Sequence, residues 1–344
     1  MGVHGITGSL SLPLVFLFLV SSSLPSLTIS ASSSVRCHPD DKTALLKIKQ
    51  SFTSKFPSDV TPWDPNTDCC DWGYVQCDDQ TNRVNVLNIF NTGMDRIPEA
   101  IGDLPYLEIL QLQRVTKISG SIPYSITKLQ NLKIIRMWRI NLSGSIPEFL
   151  TQLKNLESLD LSYNRLSGPI PASLANLQKL RYLYLDWNKL TGRIPDSFGR
   201  FNTTGGFSLD LSNNLLSGEV PASLAEFNYV SIDLSYNKLV GDVSVLLREN
   251  GAAQNVYLSN NLFDFDLSKV RFPKNLSFLK LSHNRIRGSI PEQITELPSL
   301  QVFDVSYNRL CGRIPVGGNV QNIAVGYFIH NKCLCGPPLP NQCK

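Results

Sequence analysis

Charge is absent from the first 35 residues, which contain no Asp, Glu, Lys or Arg. No apolar run in the 344-residue chain reaches the 18 or so residues that a membrane helix needs. Only four histidines occur, and no Lys/Arg run stands out against a net charge of +4. That balance excludes nucleic-acid binding driven by electrostatics alone. Cysteine is missing from the whole middle of the chain, between Cys77 and Cys311. With 42% hydrophobic residues the chain is nonetheless too apolar to be mainly disordered.

The uncharged start carries Leu10-Ser-Leu-Pro-Leu-Val-Phe-Leu-Phe-Leu-Val20, followed by a Ser-rich tail to Ser34. Eleven apolar residues suit the core of a secretory signal, although the usual basic flank is missing and a buried core helix is the competing reading. The Ser-rich tail favours the signal, placed at 1–30 with cleavage within 23–34. Met1-Gly2 does not extend to a myristoylation motif, because Ile6 stands where Ser or Thr is needed. The mature protein is therefore expected to be secreted, with no membrane span, and monomeric.

The cysteines support that compartment. They form two groups of four, Cys37, Cys69, Cys70, Cys77 and Cys311, Cys333, Cys335, Cys343. An even count gathered at both ends of an exported chain reads as two stapled caps, at 31–82 and 319–344. Zinc is the rival, but neither group contains a CxxC pair. Adjacent Cys69 and Cys70 are badly placed to bond each other. More than one pairing is open to each group. The expectation adopted is Cys37–Cys69, Cys70–Cys77, Cys311–Cys333 and Cys335–Cys343.

Between the caps, over 83–318, one phrase recurs. Its clearest copy runs from Leu156 through Leu159-Asp-Leu161 and Asn164 to Gly168 and Pro171. Residues equivalent to Leu161 are Ile89, Leu112, Met137, Leu185, Leu211, Leu234, Leu258, Leu281 and Val305, spaced by 23 to 26 residues. Ten copies at that period specify a leucine-rich-repeat solenoid. The expected fold class is an α/β repeat solenoid, a right-handed superhelix of about ten 24-residue repeats with a concave parallel β-sheet and disulfide-stapled caps.

Each repeat position has a physical task. Alternating Leu159-Asp160-Leu161 is a short strand with its leucines inward and Asp160 outward. Asn164 turns the chain and can bond neighbouring backbone groups as a ladder. Gly168 permits an unusual backbone conformation, and Pro171 starts the return, from which Leu174, Leu177 and Leu180 line the interior. In the first cap Ala44, Leu45, Ile48 and Phe52 are spaced for one helix face. The phrase Leu-Ser-Gly-x-Ile-Pro stands at 142–147 and again at 166–171, decays at Gly241-Asp-Val-Ser244, and is missing from repeat eight. Phe201-Asn-Thr-Thr-Gly-Gly206 lengthens repeat six. Asn141, Asn202 and Asn275 head glycosylation sequons.

No catalytic signature appears. His283 is the sole histidine of the repeat body and has no nucleophile motif beside it; no phosphate loop, HExxH or calcium loop occurs. Asp160, Asp210, Asp233 and Asp304 sit at one repeat position, so the repeat pattern explains them without catalysis. The chain is read as no enzyme, with no cofactor and no metal. Outward strand positions, which packing leaves free, carry Gln111, Gln113, Arg114, Arg136, Trp138 and Arg139 in repeats two and three. Repeat five presents Tyr182, Tyr184, Asp186 and Trp187. Asp210, Asp233 and Tyr236 follow, then Tyr257, Phe278, Lys280 and His283. Exposed Trp, Tyr and Arg are residue types that anchor interfaces, while cross-strand stacking is the plainer explanation for each one singly. The charge alternates from basic at repeats two and three, through acidic at four to seven, to basic at nine.

Beyond the generic repeat, Trp63-Asp-Pro-Asn-Thr-Asp-Cys-Cys-Asp-Trp72 with Cys77 resembles the plant polygalacturonase-inhibiting proteins. So do Asn237-Lys-Leu-Val-Gly-Asp-Val-Ser-Val-Leu246, Phe265-Asp-Leu-Ser-Lys-Val-Arg-Phe-Pro273, Tyr307 to Gly318, and His330-Asn-Lys-Cys-Leu-Cys-Gly-Pro-Pro-Leu-Pro340. That resemblance implies a second short sheet along one side of the solenoid. It also implies a secreted cell-wall defence protein that binds fungal endo-polygalacturonases on its concave face and so limits pectin breakdown. Some members also bind pectin itself. Asp160, Asp186 and Asp210 would then meet basic groups of the enzyme, with Trp187, Tyr184 and Gln254 adding contact area. Repeat three departs from the family, with Ile140 at the polar turn position. Two other classes fit the scaffold: a receptor-like or developmental binding module, and a wall glycoprotein that binds pectin or ice without an enzyme partner.

Overall fold

The structure is a computed structural model that describes residues 36–54, 61–201, 205–226 and 228–343. The candidate signal segment and Asn202 lie outside the described residues. From the first cap onward the chain winds through ten turns, each contributing one strand to a single sheet of eleven strands. The cap strand Val75–Cys77 pairs antiparallel with the strand of repeat one, Val84–Phe90. All later neighbours are parallel, from Ile109–Gln113 in repeat two to Val302–Asp304 in repeat ten. Register is held by the inward residues: Leu110 faces Ile135, Leu159 faces Leu183, and Leu279 faces Phe303. These side chains form one continuous core running from Cys37 to Leu334. No repeat buries its own leucines, so each is stable only between neighbours.

The return segments contain short 3-10 turns rather than α-helices. Pro98, Pro123, Pro147, Pro171, Pro195 and Pro291 each precede such a turn. Proline fits there because its φ is already set and its missing N–H would have had no partner. The α-helix among the described residues is Pro39–Lys49 in the first cap. Asp40 and Asp41 in its first turn and Lys47 and Lys49 in its last complement the helix dipole. Ala44, Leu45 and Ile48 are buried, but the helix stops before Phe52, which bridges to Met94 and packs edge-on against Trp63. Buried Asp41 binds the Arg83 guanidinium twice, at 2.6 and 2.9 Å, and accepts from the Val84 N–H. That bond set fastens the helix to repeat one. Disulfides Cys37–Cys69 and Cys70–Cys77 close this cap, and Cys311–Cys333 and Cys335–Cys343 close the other.

A second set of strands runs along one flank, in two three-stranded sheets and one pair. Gly168, with φ +81°, makes the turn there that a side chain would resist. Repeat eight still supplies Leu262–Phe263 to this flank despite lacking the Gly-x-Ile-Pro phrase.

The asparagine position binds one repeat to the next. Asn164 Nδ2 donates to the carbonyls of Met137, Leu161 and Ser162, while its Oδ1 accepts from the Ile140 and Leu142 N–H groups. Asn188, Asn214, Asn237, Asn261, Asn284, Asn308 and Asn331 likewise donate to a carbonyl of the preceding repeat. Repeats one to three have Thr92, Val115 and Ile140 there, all buried. Ile140 is thus accommodated because Asn164 of the next repeat bonds its backbone. Asn214→Ala should cost about 2–4 kcal/mol, since several buried backbone groups lose partners. Urea unfolding checks this; a loss below about 0.5 kcal/mol would mean that water replaces the side chain.

Candidate functional site on the concave sheet

Three columns of side chains cover the concave face, defined by their offset from the repeat's marker leucine. The residue before the marker is Asn88, Gln111, Arg136, Asp160, Tyr184, Asp210, Asp233, Tyr257, Lys280 or Asp304 in successive repeats. The residue after it is Phe90, Gln113 or Trp138 in repeats one to three, and serine from repeat four onward except at Asp186. The next residue ends the strand in left-handed backbone, with φ between 51° and 57° in every repeat. Asn91, Arg114, Arg139, Tyr163, Trp187, Asn213, Tyr236, Asn260, His283 and Tyr307 occupy this place. Non-glycine residues pay for that conformation, and the bonded turn that follows holds them in it.

Two exposed rings of the left-handed column, Tyr163 and Trp187, extend a ring ladder that begins at half-buried Trp138 in the neighbouring column. Trp138 meets Tyr163 edge-on at 5.7 Å, and Tyr163 stacks on Trp187 at 5.3 Å, with planes 13° apart. The guanidinia of Arg114 and Arg139 lie 5.3 and 6.0 Å from the Trp138 ring. Trp187 remains 51% exposed and Tyr163 41%. Further along, Tyr307 is sandwiched by His283 and His330 at 4.1 and 4.2 Å. Each ring pair contributes about 0.5–1.5 kcal/mol and fixes its partner's orientation, so these exposed rings are already ordered.

The acidic residues lie on the concave side, held close against the sheet. Asp160 is on the concave side but buried, with Arg136 Nε 3.3 Å away and the Ser162 hydroxyl donating to it at 2.5 Å. Asp210, Asp233 and Asp304 accept from the N–H groups of Ser212, Ser235 and Ser306. The Asp-x-Ser pairing therefore locks the strand end. Asp186 stands in the serine column, buried between Asp160 and Asp210. Burial and then the neighbouring carboxylates push it up to about 8. Burial raises Asp210, and burial with Asp210 pushes Asp233 up to about 6. Asp186 thus takes up a proton more readily than an ordinary carboxyl. Burial also raises the Tyr184 hydroxyl.

Other expected residues are dispersed as follows. Tyr182 is an exposed outer position of the repeat-five strand, tilted against Tyr184 at 6.4 Å. Gln254 lies at the rim before the repeat-eight strand, its carbonyl accepting from Ser277 and Phe278. Lys280 lies 5.6 Å from the Tyr257 ring. Asn141 and Asn275 are exposed. The sulfurs of Cys37, Cys69 and Cys70 lie within 4.8 Å of one another, but all three are disulfide-bonded.

The chain resembles known proteins along most of its length. Residues 38–78 match the leucine-rich repeat N-terminal domain, 82–201 a leucine-rich repeat region, and 207–227 and 275–297 single leucine-rich repeats. A solved structure described as a plant ice-binding protein is 41% identical, with a TM-score of 0.85, covering 90% of this chain and 99% of that one. A polygalacturonase inhibitor from Vitis vinifera is 56% identical over 95% of this chain and 98% of its own length. Polygalacturonase inhibitor 1 of Arabidopsis thaliana is 58% identical over 88% and 92%. The chain belongs to the polygalacturonase-inhibitor family.

Within this inhibitor-family chain, sequence reading missed Tyr163, Tyr307 and His330 as members of the ring ladder. A signal for the first two was present, since both follow their marker by two residues, as Trp187 and His283 do. Asp186 gives the first pH-dependent expectation. Its folded-state value lies above the unfolded value of about 3.9, so its protonated form favours folding. That stabilisation is full below about pH 4 and is lost as pH rises toward 8. Asp186→Asn should therefore raise stability at pH 8 by on the order of 1–3 kcal/mol, allowing for solvent screening, and change little at pH 4. Thermal unfolding at the two pH values checks the sign.

Proposed function

We propose that this chain is a secreted plant cell-wall protein that binds fungal endo-polygalacturonases on its concave sheet and limits pectin degradation in defence. The observation that carries this reading is the pre-ordered ring ladder Trp138–Tyr163–Trp187, exposed at mid-sheet and flanked by Arg114 and Arg139. Large rings held in place lose little freedom on docking, and Trp, Tyr and Arg dominate interface energetics. High identity over nearly the whole length with inhibitors from grape and Arabidopsis supports the same reading. The mechanism is occlusion: the inhibitor covers the approach to the enzyme's cleft and supplies no chemistry. The acids of the concave face fit that role, because serine N–H groups or Arg136 engage Asp160, Asp210 and Asp233.

Reducing-end release from polygalacturonate by a panel of fungal endo-polygalacturonases tests the proposal. At least one enzyme should be inhibited dose-dependently, with Trp187→Ala weakening inhibition by about 10–100-fold. Asp186→Asn at acidic pH should leave inhibition unchanged. No inhibition of any enzyme by folded, disulfide-bonded protein would overturn the reading.

A flank column favours pectin as a second partner. The residue four positions after the marker is Arg165, Lys189, Lys238, Arg285 or Arg309 in repeats four, five, seven, nine and ten, interrupted by Leu215 and Leu262 and continued by Lys332 in the cap. All six cations are exposed, and none pairs with a carboxylate among the described residues. Parallel strands repeat at about 4.8 Å, so these cations, one or two repeats apart, form a broken track for a linear polyanion. Retention on immobilised polygalacturonate should fall steeply with salt, and Arg285→Ala with Arg309→Ala should reduce it several-fold while inhibition persists. Retention unaffected by salt would contradict the track.

A further inference from the structure

Past the ring ladder, the concave face opens into a trough across repeats six to ten. Its floor is the serine column: Ser235, Ser259, Ser282 and Ser306 are all buried, and the hydroxyls of Ser259 and Ser282 are 3.0 Å apart. Repeat five fills the same column with Asp186, and repeats two and three fill it with Gln113 and Trp138. From repeat six onward that column is serine without interruption, which leaves room above the floor. It encloses about 520 Å³.

Its two walls differ in chemistry. On one side Asp233, Tyr257, Lys280 and Asp304 follow in consecutive repeats, so a single ammonium stands between two carboxylates. On the other, Tyr236, Asn260 and His283 project from the left-handed column. Tyr236 is 56% exposed, and His283 is stacked on Tyr307, which is 42% exposed. The trough thus presents charged acceptors and a charged donor opposite ring faces, above a floor of hydroxyls. A sugar matches both sides, since its vicinal hydroxyls both donate and accept while its ring carries an apolar C–H face. A uronate chain does not match, because Asp233 and Asp304 would oppose its carboxylates. An extended peptide is disfavoured by a floor of uniform serines that offers no apolar pocket for alternate side chains.

We propose that this trough binds a neutral oligosaccharide, whose hydroxyls bridge Asp233, Lys280 and Asp304 and whose ring faces rest on the Tyr236 and His283 side. This goes beyond the inhibitor reading, because it needs no enzyme, although the trough shares the concave sheet and adjoins the ring ladder.

The test uses the secreted full chain, with saturation-transfer NMR and calorimetry against mannotriose, cellotriose, trigalacturonate and a neutral hexapeptide. At least one neutral trisaccharide should bind with Kd at or below about 10 mM. Lys280→Met and Tyr236→Ala should each weaken that binding about 10-fold. Both side chains are surface-accessible, so if one variant fails to fold the other still decides the matter. Absence of neutral-sugar binding, binding that both variants leave intact, or preferential binding of trigalacturonate or the peptide would each overturn the proposal. Polygalacturonase inhibition is measured on the same samples. A protein that inhibits but binds no neutral sugar loses the trough and keeps the inhibitor role.

Discussion

The turn after each concave strand must bury polar backbone without water, and one asparagine side chain solves that for two repeats at once. Asn164 satisfies N–H groups at Ile140 and Leu142 and reaches the carbonyl of Met137, all in the preceding repeat. Unpaired, those groups would cost more than the leucine contacts around them gain individually. The residue just before it is in left-handed backbone, as at Tyr163 and Trp187, and so are its counterparts in the three repeats that lack the asparagine. Uniform strand spacing from repeat four onward therefore follows from a single repeated constraint. Repeats one to three manage without it, filling the place with Thr92, Val115 and Ile140 beneath the disulfide-closed cap and its Asp41–Arg83 pair.

From that constraint comes a division of labour between surfaces. Inward positions are fixed by packing and the turn by hydrogen bonding, which leaves the concave columns and the flank column free to vary. Rings gather at repeats three to five, a polar trough at six to ten, and cations along the flank. None of these depends on catalytic chemistry. A solenoid can present several such surfaces because each column is set by its own offset in the repeat.

Much of this was legible in the chain itself. The period of the marker leucines, the asparagine and the proline fixes strands, turns and returns, because each residue type answers a local backbone demand. Other features need the neighbouring repeat. Asp160 reads as an outward anion in its own strand, yet Arg136 and Ser162 cover it once the strands stack. Asp186 looks like any concave acid, and it is burial, with Asp210 and Asp160 beside it, that raises its pKa. Phe52 continues the helical spacing of Ile48 but is drawn off the helix by Met94 and Trp63. Tyr163 escaped notice because its stacking partners lie one repeat away on either side.

The central claim is that the ordered concave columns are the docking surface for a polygalacturonase. Amide hydrogen exchange of the chain, alone and with a fungal endo-polygalacturonase that it inhibits, addresses that claim most directly. The account predicts slowed exchange in the strand ends of repeats three to six, around Trp138, Tyr163 and Trp187, with the 3-10 turns after Pro147, Pro171 and Pro195 unchanged. Protection confined to those 3-10 turns or to the cation flank, with the concave strand ends unchanged, would contradict it.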